Sequence, residues 1–381
     1  MNPCATPNEY IIAEIGGKNQ TKRVKLKGEA TEGECPWHWA SQCLYNSYIW
    51  TADVEVEKWM SEVKIHLGKR TIALKLRQVH HKRPIGFTVC VQPVYWYSEF
   101  HNIALFIETW RAQGANKFIV YFHSSTKEVR MLLEYYQNMG LIDVKPWPSF
   151  GTPAFDASTY RVGHTLAQNL CILEMRSELG AVADFDEVMV TESGILRDYV
   201  EGVMMRSNVD VDVVGALRFN HLLVKFEPKI ATMDFSGVRF PVFLDRNGPP
   251  KVVFNSSTVD IIGTHSVRKF IGNQSIIPAS GSLLHYRHNS YTENAARVEK
   301  DLTFFPSTPL FHLRRIQKSI RTVFAPSTPF FNSTFLHALT ECIAQIVGEG
   351  KCRSTVSFCS QRMTPLTDWV HANGNGVFLG S

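Results

Sequence analysis

The stretch that decides the fold begins with IGFTVCVQPV at residues 85–94. This almost continuously apolar run is typical of a strand buried on both faces of a mainly parallel sheet. The pattern that follows alternates amphipathic and apolar segments, which predict a helix at 100–113, a strand at 117–122, a helix at 126–139 and a strand at 141–147. Strand, helix, strand, helix and strand in this order indicate right-handed crossover units and an α/β fold.

An acidic cluster follows the next predicted helix, at 164–178, and a short strand at 181–183. In open α/β sheets, ligands bind beyond the carboxyl ends of the strands. If the strand continues, Asp184 and Asp186 point to the same side, and their carboxylates then suit one hard divalent cation such as Mg²⁺ or Mn²⁺. An acidic surface loop is the alternative interpretation.

A second cluster lies in SLLHYRH at residues 282–288. His285 directly follows an apolar strand and is a candidate third metal ligand, while Arg287 can pair bidentately with a phosphate. The alternative for such a histidine is a hydrogen-bonded structural role. Together with the two aspartates, these residues predict a metal site beside a diphosphate.

Composition and charge exclude several classes of protein. The chain has 381 residues, 44% of them hydrophobic, and a net charge of +5. These values exclude a disordered, collagen-like or polytopic membrane protein, and so mild an excess of positive charge does not call for a nucleic acid. The turns of the α/β segment carry neither a GxGxxG nor a P-loop motif, which disfavours dinucleotide binding and P-loop chemistry.

Changes in pattern along the chain predict four regions. Residues 1–30 are basic and are expected to be loosely structured. Residues 31–84 alternate apolar and polar side chains, which predicts a small β-rich, sandwich-like domain. Residues 85–300 form the α/β domain, and residues 301–381 a C-terminal extension with one helix at 332–347.

The cysteines and glycosylation triplets bear on the compartment. Eight cysteines without a CxxC pair argue against a structural zinc site, and they fit either two or three disulfides in an oxidising lumen or buried thiols in a cytosol. Four N-x-S/T triplets, at Asn19, Asn255, Asn273 and Asn332, favour the lumen. The sequence shows neither an ordinary signal peptide nor an apolar span, so any membrane attachment is expected through a segment not visible here.

Several longer stretches together resemble a known family. They are EFHN at 99–102, WRAQGANKFIVY at 110–121, LLEYYQNMGLIDV at 132–144, AQNLC at 167–171, VADFDE at 182–187, KVVFN at 251–255, His265 and HYR at 285–287. In this order they resemble glycosyltransferase family 92, a family of galactosyltransferase-like enzymes with a GT-A fold. The likeness covers residues 85 to about 290, and the family's N-D-C is replaced here by Asn169-Leu170-Cys171.

The resemblance implies an α/β fold with a GT-A-type nucleotide-sugar-binding sheet, helices on both its faces and the β-rich domain in front. It also implies inverting transfer of galactose from UDP-galactose, with Mn²⁺ or Mg²⁺, to a glycan or glycoprotein acceptor such as fucose on an N-glycan core. It implies a place in the secretory pathway at the Golgi, and no nucleic-acid partner.

Site residues follow from the same resemblance. The implied metal ligands are Asp184, Asp186 and His285, and the implied catalytic residues are Asp186 and Glu187. Asp184 is also an implied donor-binding residue, to which position and chemistry add the candidates Tyr95, Trp96 and Arg287. The two aromatic residues, just past the first strand, are candidates for stacking on uracil, with rim packing as the alternative. An inverting reaction also needs a carboxylate base, for which the candidates are Asp234, Asp245, Glu227 and Glu201.

Two functions other than transfer are alternatives. A catalytically inactive relative that binds a glycan or nucleotide in the lumen fits the leucine at position 170. A magnesium-dependent phosphohydrolase requires a nucleophilic aspartate directly after the first strand, where this chain has Pro93, Val94 and Tyr95.

Overall fold

The computed structural model describes residues 2–5, 8–17, 20–38, 40–55, 57–67, 69–77, 79, 86–192, 194–207, 213–225, 242–244, 248–286, 297–298, 318, 320–324, 333–352 and 354–372. Within these ranges, no helix combines the length and apolar character needed to cross a bilayer.

The N-terminal region is rich in strands from its first residues onward. Its strands are β1 (Asn2–Pro3), β2 (Tyr10–Gly16), β3 (Thr21–Ala30), β4 (Tyr45–Asn46), β5 (Tyr48–Thr51), β6 (Glu62–Leu67) and β7 (Arg70–Lys75). Five of them form one antiparallel sheet in the order β5–β3–β2–β6–β7, while β1 pairs with β4. The described strands of this region therefore form a β-rich unit, but they supply only one face of the expected sandwich.

The prediction that residues 1–30 are loosely structured is wrong. Strand β3 pairs with β2 from Tyr10↔Lys27 to Gly16↔Thr21. Its lysines are exposed and alternate with the half-buried Val24 and Leu26, so the basic stretch is one face of an amphipathic strand. The many lysines obscured the alternation of exposed and half-buried side chains that marks a strand.

The central sheet begins with the predicted crossover units. Its first strands are β8 (Phe87–Val94), β9 (Lys117–Phe122), β11 (Ile142–Pro146) and β12 (Leu179–Ala183), with the short β10 (Ser124–Ser125) after β9. The order is β11–β9–β8–β12, and all three pairings are parallel. Because parallel strands end at one edge, the residues after β8, β9 and β12 are brought together.

Helices cover both faces of this sheet, as predicted. The helices are α1 (Phe100–Ala112), α2 (Lys127–Asn138), α3 (Pro153–Ser158), α4 (His164–Glu174), α5 (Leu196–Ser207), α6 (Ser333–Gly348), α7 (Thr355–Phe358) and α8 (Ser360–Met363), with single 3₁₀ turns at Tyr160–Val162 and Thr364–Leu366. On β8, Val89 and Val91 face the core with α1, α2 and α5, whereas Cys90 faces the core with α4.

The second half of the sheet is mainly antiparallel. Its strands are β13 (Glu187–Thr191), β14 (Val214–Lys225), β15 (Val242–Leu244), β16 (Lys251–Asn255), β19 (Ser275–Tyr286) and β20 (Arg297–Val298), and β17 (Val259–Ile262) pairs with β18 (Val267–Phe270) apart from it. Strand β16 runs antiparallel to β12, so Lys251 at its start lies near the carboxyl end of β12. Strand β19 pairs with β13 and brings His285 opposite Glu187.

Three disulfides lie within single regions, and one joins two regions. All eight cysteines pair, as Cys4–Cys35, Cys43–Cys352, Cys90–Cys171 and Cys342–Cys359. This is more than the two or three bridges expected from the sequence. The second bridge ties the N-terminal region to the C-terminal extension, whose strand β21 (Val370–His371) pairs with β10 in a separate two-stranded sheet.

Candidate active site

The acidic cluster forms a tight turn between β12 and β13 rather than a continuing strand. The backbone N–H of Glu187 donates to the carbonyl of Asp184 at 2.9 Å, which closes the turn. Between them, Phe185 is buried in the core against Phe106 and Tyr97. Asp184 and Asp186 both line the cleft that opens at this edge of the sheet. Both aspartates therefore reach one cleft, but from a turn and not from the continuing strand on which the prediction depended.

The buried side chain of Glu187 stabilises this turn by a hydrogen bond. Its side chain is 4% exposed, and its Oε2 accepts the backbone N–H of Asp184 at 3.0 Å. The same oxygen lies 3.2 Å from Nζ of Lys251, which is 1% exposed and also lies 3.8 Å from Asp184 Oδ2. Burial lowers the pKa of Lys251, but the carboxylates of Glu187 and Asp184 together raise it by more. The net shift of the pKa is therefore upward. A buried ammonium thus fixes two acidic residues at once.

His285 is brought to Asp186, as the sequence predicted. Its Nε2 lies 3.0 Å from Asp186 Oδ2, and its Nδ1 lies 2.9 Å from Nε2 of His221 on β14. The residue is buried, so its ring orientation is set by these two neighbours. Sequence analysis did not find His221, because only the pairing of β14 with β19 brings it there.

The cleft beside the turn has a volume of about 490 Å³. One wall carries polar side chains, including the two aspartates, Glu99, Tyr95 and Arg161. The other wall comes from α6 in the C-terminal extension, through Leu339, Ile343, Ile346 and Val347. Its size falls in the range typical of small-molecule sites.

Glu99 is a carboxylate in this cleft that sequence analysis missed. It immediately precedes α1, and its Oε1 accepts from the side-chain amide of Asn102 at 3.2 Å. Burial, followed by the negative charge of Asp186, raises the pKa of Glu99 to about 7. Its place in the EFHN stretch was a signal, but only the structure shows that it lies in the same cleft as the aspartates.

Arg161 enters the cleft from a strained turn. Arg161, Val162 and Gly163 have φ values of 43°, 49° and 70°, which is a left-handed run that only the glycine adopts without cost. Tyr95 supports the run, because its hydroxyl donates to the carbonyl of Arg161 at 3.1 Å. Strain of this kind concentrates at functional sites. Here the strained turn places Arg161 in the cleft that Asp184 and Asp186 also line.

Of the two aromatic residues predicted to bind the donor, only Tyr95 lines the cleft. The placement of Trp96 contradicts the prediction that it stacks on the donor base. Its side chain is 4% exposed and packs edge-on against Trp369 at 5.2 Å and His371 at 5.6 Å. The chain leaves strand β8 after Val94, and Trp96 has a φ of 50°. The side chain of Trp96 therefore points away from the cleft that Tyr95 lines.

Several predicted residues are not in the described cleft. Arg287, Asp234, Asp245 and Glu227 lie outside the described residues. Glu201 lies on α5, where its Oε1 is 2.7 Å from Nε of Arg197, and it is not among the residues lining the cleft. The placement of Glu201 thus gives no support to its role as a base.

The Asn169-Leu170-Cys171 stretch has a structural role in this chain. Asn169 donates to the carbonyl of Ile262 and accepts its N–H, at 2.8 and 3.0 Å, which fixes β17 to α4. Cys171 bridges to Cys90 on β8. Leu170, where the family has an acid, packs partly buried against the core on the α4 side.

The side chains at the turn suit a divalent cation in their chemistry. The side chains of Asp184 and Asp186 are 39% and 29% exposed at the cleft, and carboxylate and imidazole donors suit Mn²⁺. Among the described residues, no group of three or more His, Cys, Asp or Glu side chains is arranged around one point. Asp184, Asp186 and His285 are thus not arranged as the predicted three-ligand set: the ring of His285 lies against Asp186, while Asp184 and Asp186 are the carboxylates that face the cleft.

Comparison with known proteins gives a family. A family model described as glycosyltransferase family 92 matches residues 85–324. The matched segment contains every residue of the acidic turn, together with Glu99, Lys251 and His285. A search of curated proteins finds no match.

Similar solved structures are remote. They include S. aureus TarS 1-349 in complex with UDP-GlcNAc, at 12% identity and a TM-score of 0.34, covering 56% of this chain and 62% of that one. Another is glucosyl-3-phosphoglycerate synthase from Mycobacterium tuberculosis with Mn²⁺, UDP and glucosyl-3-phosphoglycerate, at 11% and 0.28, covering 55% and 74%. HddC from Yersinia pseudotuberculosis matches at 10% and 0.29, covering 53% and 93%. Similarity this weak says nothing about the substrate of this chain.

Proposed function

The chain belongs to glycosyltransferase family 92 and has its GT-A fold, and we propose that it transfers galactose from UDP-galactose to a glycan acceptor with inversion of configuration. The observation that supports this most is the acidic turn. It presents Asp184 and Asp186 to a cleft at the carboxyl ends of β8 and β12, where α/β sheets bind nucleotide ligands. The acceptor proposed is a glycan or glycoprotein, with fucose on an N-glycan core as the first candidate.

Asp184 and Asp186, with His285 beside them, would hold the cation, Mn²⁺ or Mg²⁺. When bound, such an ion neutralises the negative charge that develops on the departing diphosphate. The protein's own part is to keep the carboxylates in place. Lys251 and Glu187 fix Asp184, and His285 orients Asp186. Because Glu187 is enclosed, it acts as a positioning residue rather than a catalytic one.

Donor binding is assigned in this proposal to Arg161 and Tyr95, which both line the described cleft. A guanidinium pairs with phosphate oxygens in bidentate fashion, and the left-handed turn holds Arg161 on the side of the cleft that carries the acidic residues. Tyr95 offers a ring in the same cleft, while its hydroxyl is committed to the backbone of Arg161.

Glu99 is proposed as the base that takes the proton of the acceptor hydroxyl. It lines the cleft with the two aspartates, and a base works best when its pKa is near the working pH. Its pKa of about 7 meets that condition. Attack by the acceptor oxygen on the anomeric carbon then expels UDP from the opposite face.

The compartment proposed is the secretory pathway, at the Golgi. Four disulfides suit an oxidising lumen. One sequon asparagine of the described chain, Asn273, is exposed and available for glycosylation.

The proposal is tested by assaying the oxidised, purified chain with several UDP-sugars, with and without Mn²⁺, against a glycan array. We expect release of UDP from UDP-galactose that depends on Mn²⁺, and transfer to fucosylated N-glycan cores with inverted linkage. UDP binding without turnover on any donor would instead support an inactive, nucleotide-binding relative.

A further inference from the structure

The N-terminal region docks on the segment that carries the strained turn of the cleft. This turn segment, residues 158–165, connects α3 to α4. At its start, the backbone N–H of Leu44 donates to the carbonyl of Ser158 at 2.8 Å. The next residue on each side continues the contact, because Tyr45 forms a β-bridge with Thr159. Backbone hydrogen bonding therefore fixes the first end of the turn segment to the N-terminal region.

The other end of the turn segment is held by a buried pair of hydroxyl groups. The side-chain oxygens of Thr31 and Thr165 lie 3.0 Å apart and are hydrogen-bonded. Both residues are almost fully enclosed, at 0% and 3% exposure. The N-terminal region thus holds the turn segment at both ends, on either side of Arg161.

A small core of the N-terminal region supports the middle of the turn segment. Trp37 is 4% exposed, and its ring lies 5.1 Å from the ring of Tyr160. Trp37 packs with Ala40, Cys43 and Cys352, and Tyr160 packs against this group. The disulfide between Cys43 and Cys352 joins this core covalently to the C-terminal extension. Tyr160 therefore rests on a support that is cross-linked in place.

The ring of Tyr160 in turn contacts two residues of the cleft. The guanidinium carbon of Arg161 lies over the ring, 5.5 Å from its centre, which is within the range of cation–π attraction. The ring of His164 lies 5.4 Å from the same ring. Arg161 and His164 both line the cleft. A chain of contacts therefore runs from Trp37 through one aromatic ring to the arginine of the cleft.

The backbone of the turn needs such a support. Arg161 and Val162 have positive φ values of 43° and 49°, and a conformation of this kind persists only when its surroundings hold it. On the side of the central sheet, Tyr95 donates to the carbonyl of Arg161 at 3.1 Å and Trp147 to that of Val162 at 3.0 Å. The N-terminal region supplies further contacts, at both ends of the segment and at Tyr160.

We propose that Tyr160 is a positioning residue, through which the N-terminal region orients Arg161 toward the phosphate groups of the donor. This inference rests on the proposed function, because it takes Arg161 to bind the donor diphosphate. It gives a part in donor binding to a region that precedes residues 85–324, the segment that the family model matches.

The first test measures UDP binding to the oxidised full chain in the presence of Mn²⁺, by titration calorimetry. Tyr160→Leu removes the ring and should weaken UDP binding by about tenfold, whereas Tyr160→Phe keeps the ring and should stay within about twofold of the wild type. Trp37→Leu removes the support of the ring and should weaken UDP binding by about threefold or more. Circular dichroism and thermal denaturation check that each variant is folded.

The matched control is Trp50→Leu, the same substitution at another tryptophan of the N-terminal region. Trp50 lies on β5, where its ring stacks on Tyr48 at 5.9 Å. This variant should bind UDP as the wild type does, even if it is less stable. Tyr160 is only half-buried, so Tyr160→Leu is expected to fold and decides the test if Trp37→Leu does not fold.

The second test asks whether Tyr160 acts through Arg161. In a double-mutant cycle, Tyr160→Leu should weaken UDP binding in the wild type but have no further effect in Arg161→Met, since residues that act together are not additive. Uridine, which lacks the phosphates, should bind the wild type and Tyr160→Leu equally. A residue that only stabilises the fold would instead weaken uridine and UDP alike.

The inference is overturned if Tyr160→Leu binds UDP as the wild type does, if the two substitutions weaken UDP binding additively, or if uridine weakens as much as UDP. Should the wild type bind UDP with Mn²⁺ and Arg161→Met bind it weakly while Tyr160→Leu is unaffected, the proposed donor site stands and the positioning role fails. A wild type that does not bind UDP contradicts both.

Discussion

The two walls of the cleft differ in charge and in where they come from. The polar wall, with Asp184, Asp186 and Glu99, belongs to the segment that matches the family. The apolar wall, with Ile343 and Val347, belongs to α6, which follows that segment. In the proposed reaction, the family segment would carry the bond-breaking chemistry, while α6 of the C-terminal extension shapes the cleft.

If the polar wall carries the chemistry, Asp184→Ala should have the largest effect. We expect transfer to fall by about a thousandfold or more, as when a group that stabilises developing charge is removed, while the chain stays folded. The fold should survive because Asp184 is partly exposed and its backbone, not its side chain, closes the turn. Transfer kinetics and circular dichroism measure both effects. Asp143→Ala, an exposed aspartate on β11, is the control and should be near wild type.

The support below the polar wall is tested by Lys251→Met. Removing the ammonium leaves the buried carboxylate of Glu187 without its partner, and breaking a buried pair costs about 3–5 kcal/mol. Urea denaturation should show a loss of this size, and adding Glu187→Gln should recover part of it. Lys269→Met removes an exposed pair with Glu29 and Asp260 and should cost less than about 1 kcal/mol. Equal losses of unfolding free energy in the two lysine variants would show that the buried pair of Lys251 and Glu187 does not stabilise the site.

Glu99→Gln separates a base from a mere wall residue. We expect kcat to fall by about a hundredfold or more, with little change in donor KM. Because the pKa of Glu99 is raised to about 7 and a base acts when deprotonated, wild-type transfer should increase as pH rises through about 7. The variant should lack this limb of the pH profile. Glu134→Gln, exposed on α2, should keep it, and a profile unchanged in Glu99→Gln would rule out this base.

The apolar wall should respond more weakly. Ile343→Ser removes apolar surface from the cleft, which should raise KM for donor or acceptor by up to about tenfold and leave kcat nearly unchanged. Met205→Ser, a change at an exposed residue on α5, serves as the control. A large loss of kcat in Ile343→Ser would mean that the two walls do not divide the work as described.

The crossover core was readable from the sequence because local patterns decide it. The apolar runs of β8 and β9 and the helical spacing of α1 and α2 reflect burial on known faces. The strand β3 was missed because its alternation is carried by only two apolar side chains among lysines, and its pairing with β2 is not a local property.

The site was only partly readable for a similar reason. Spacing predicted that Asp184 and Asp186 point to one side, and the apolar strand before His285 marked it as a candidate ligand that the family resemblance then supported. Lys251 and His221 could not be assigned, because each meets the site only through pairing with a strand distant in sequence. The prediction for Trp96 was wrong because the backbone is irregular just after β8. This irregularity turns the side chain of Trp96 away from the cleft.

The central claim is that the aspartates of the turn hold a cation for the donor diphosphate, and UDP binding to Asp186→Ala tests it most directly. Titration calorimetry with UDP, with and without Mn²⁺, compares the wild type, Asp186→Ala and Asp143→Ala. The account predicts that Mn²⁺ strengthens UDP binding to the wild type and to Asp143→Ala but not to the folded Asp186→Ala. Mn²⁺-dependent UDP binding that persists unchanged in Asp186→Ala would contradict it.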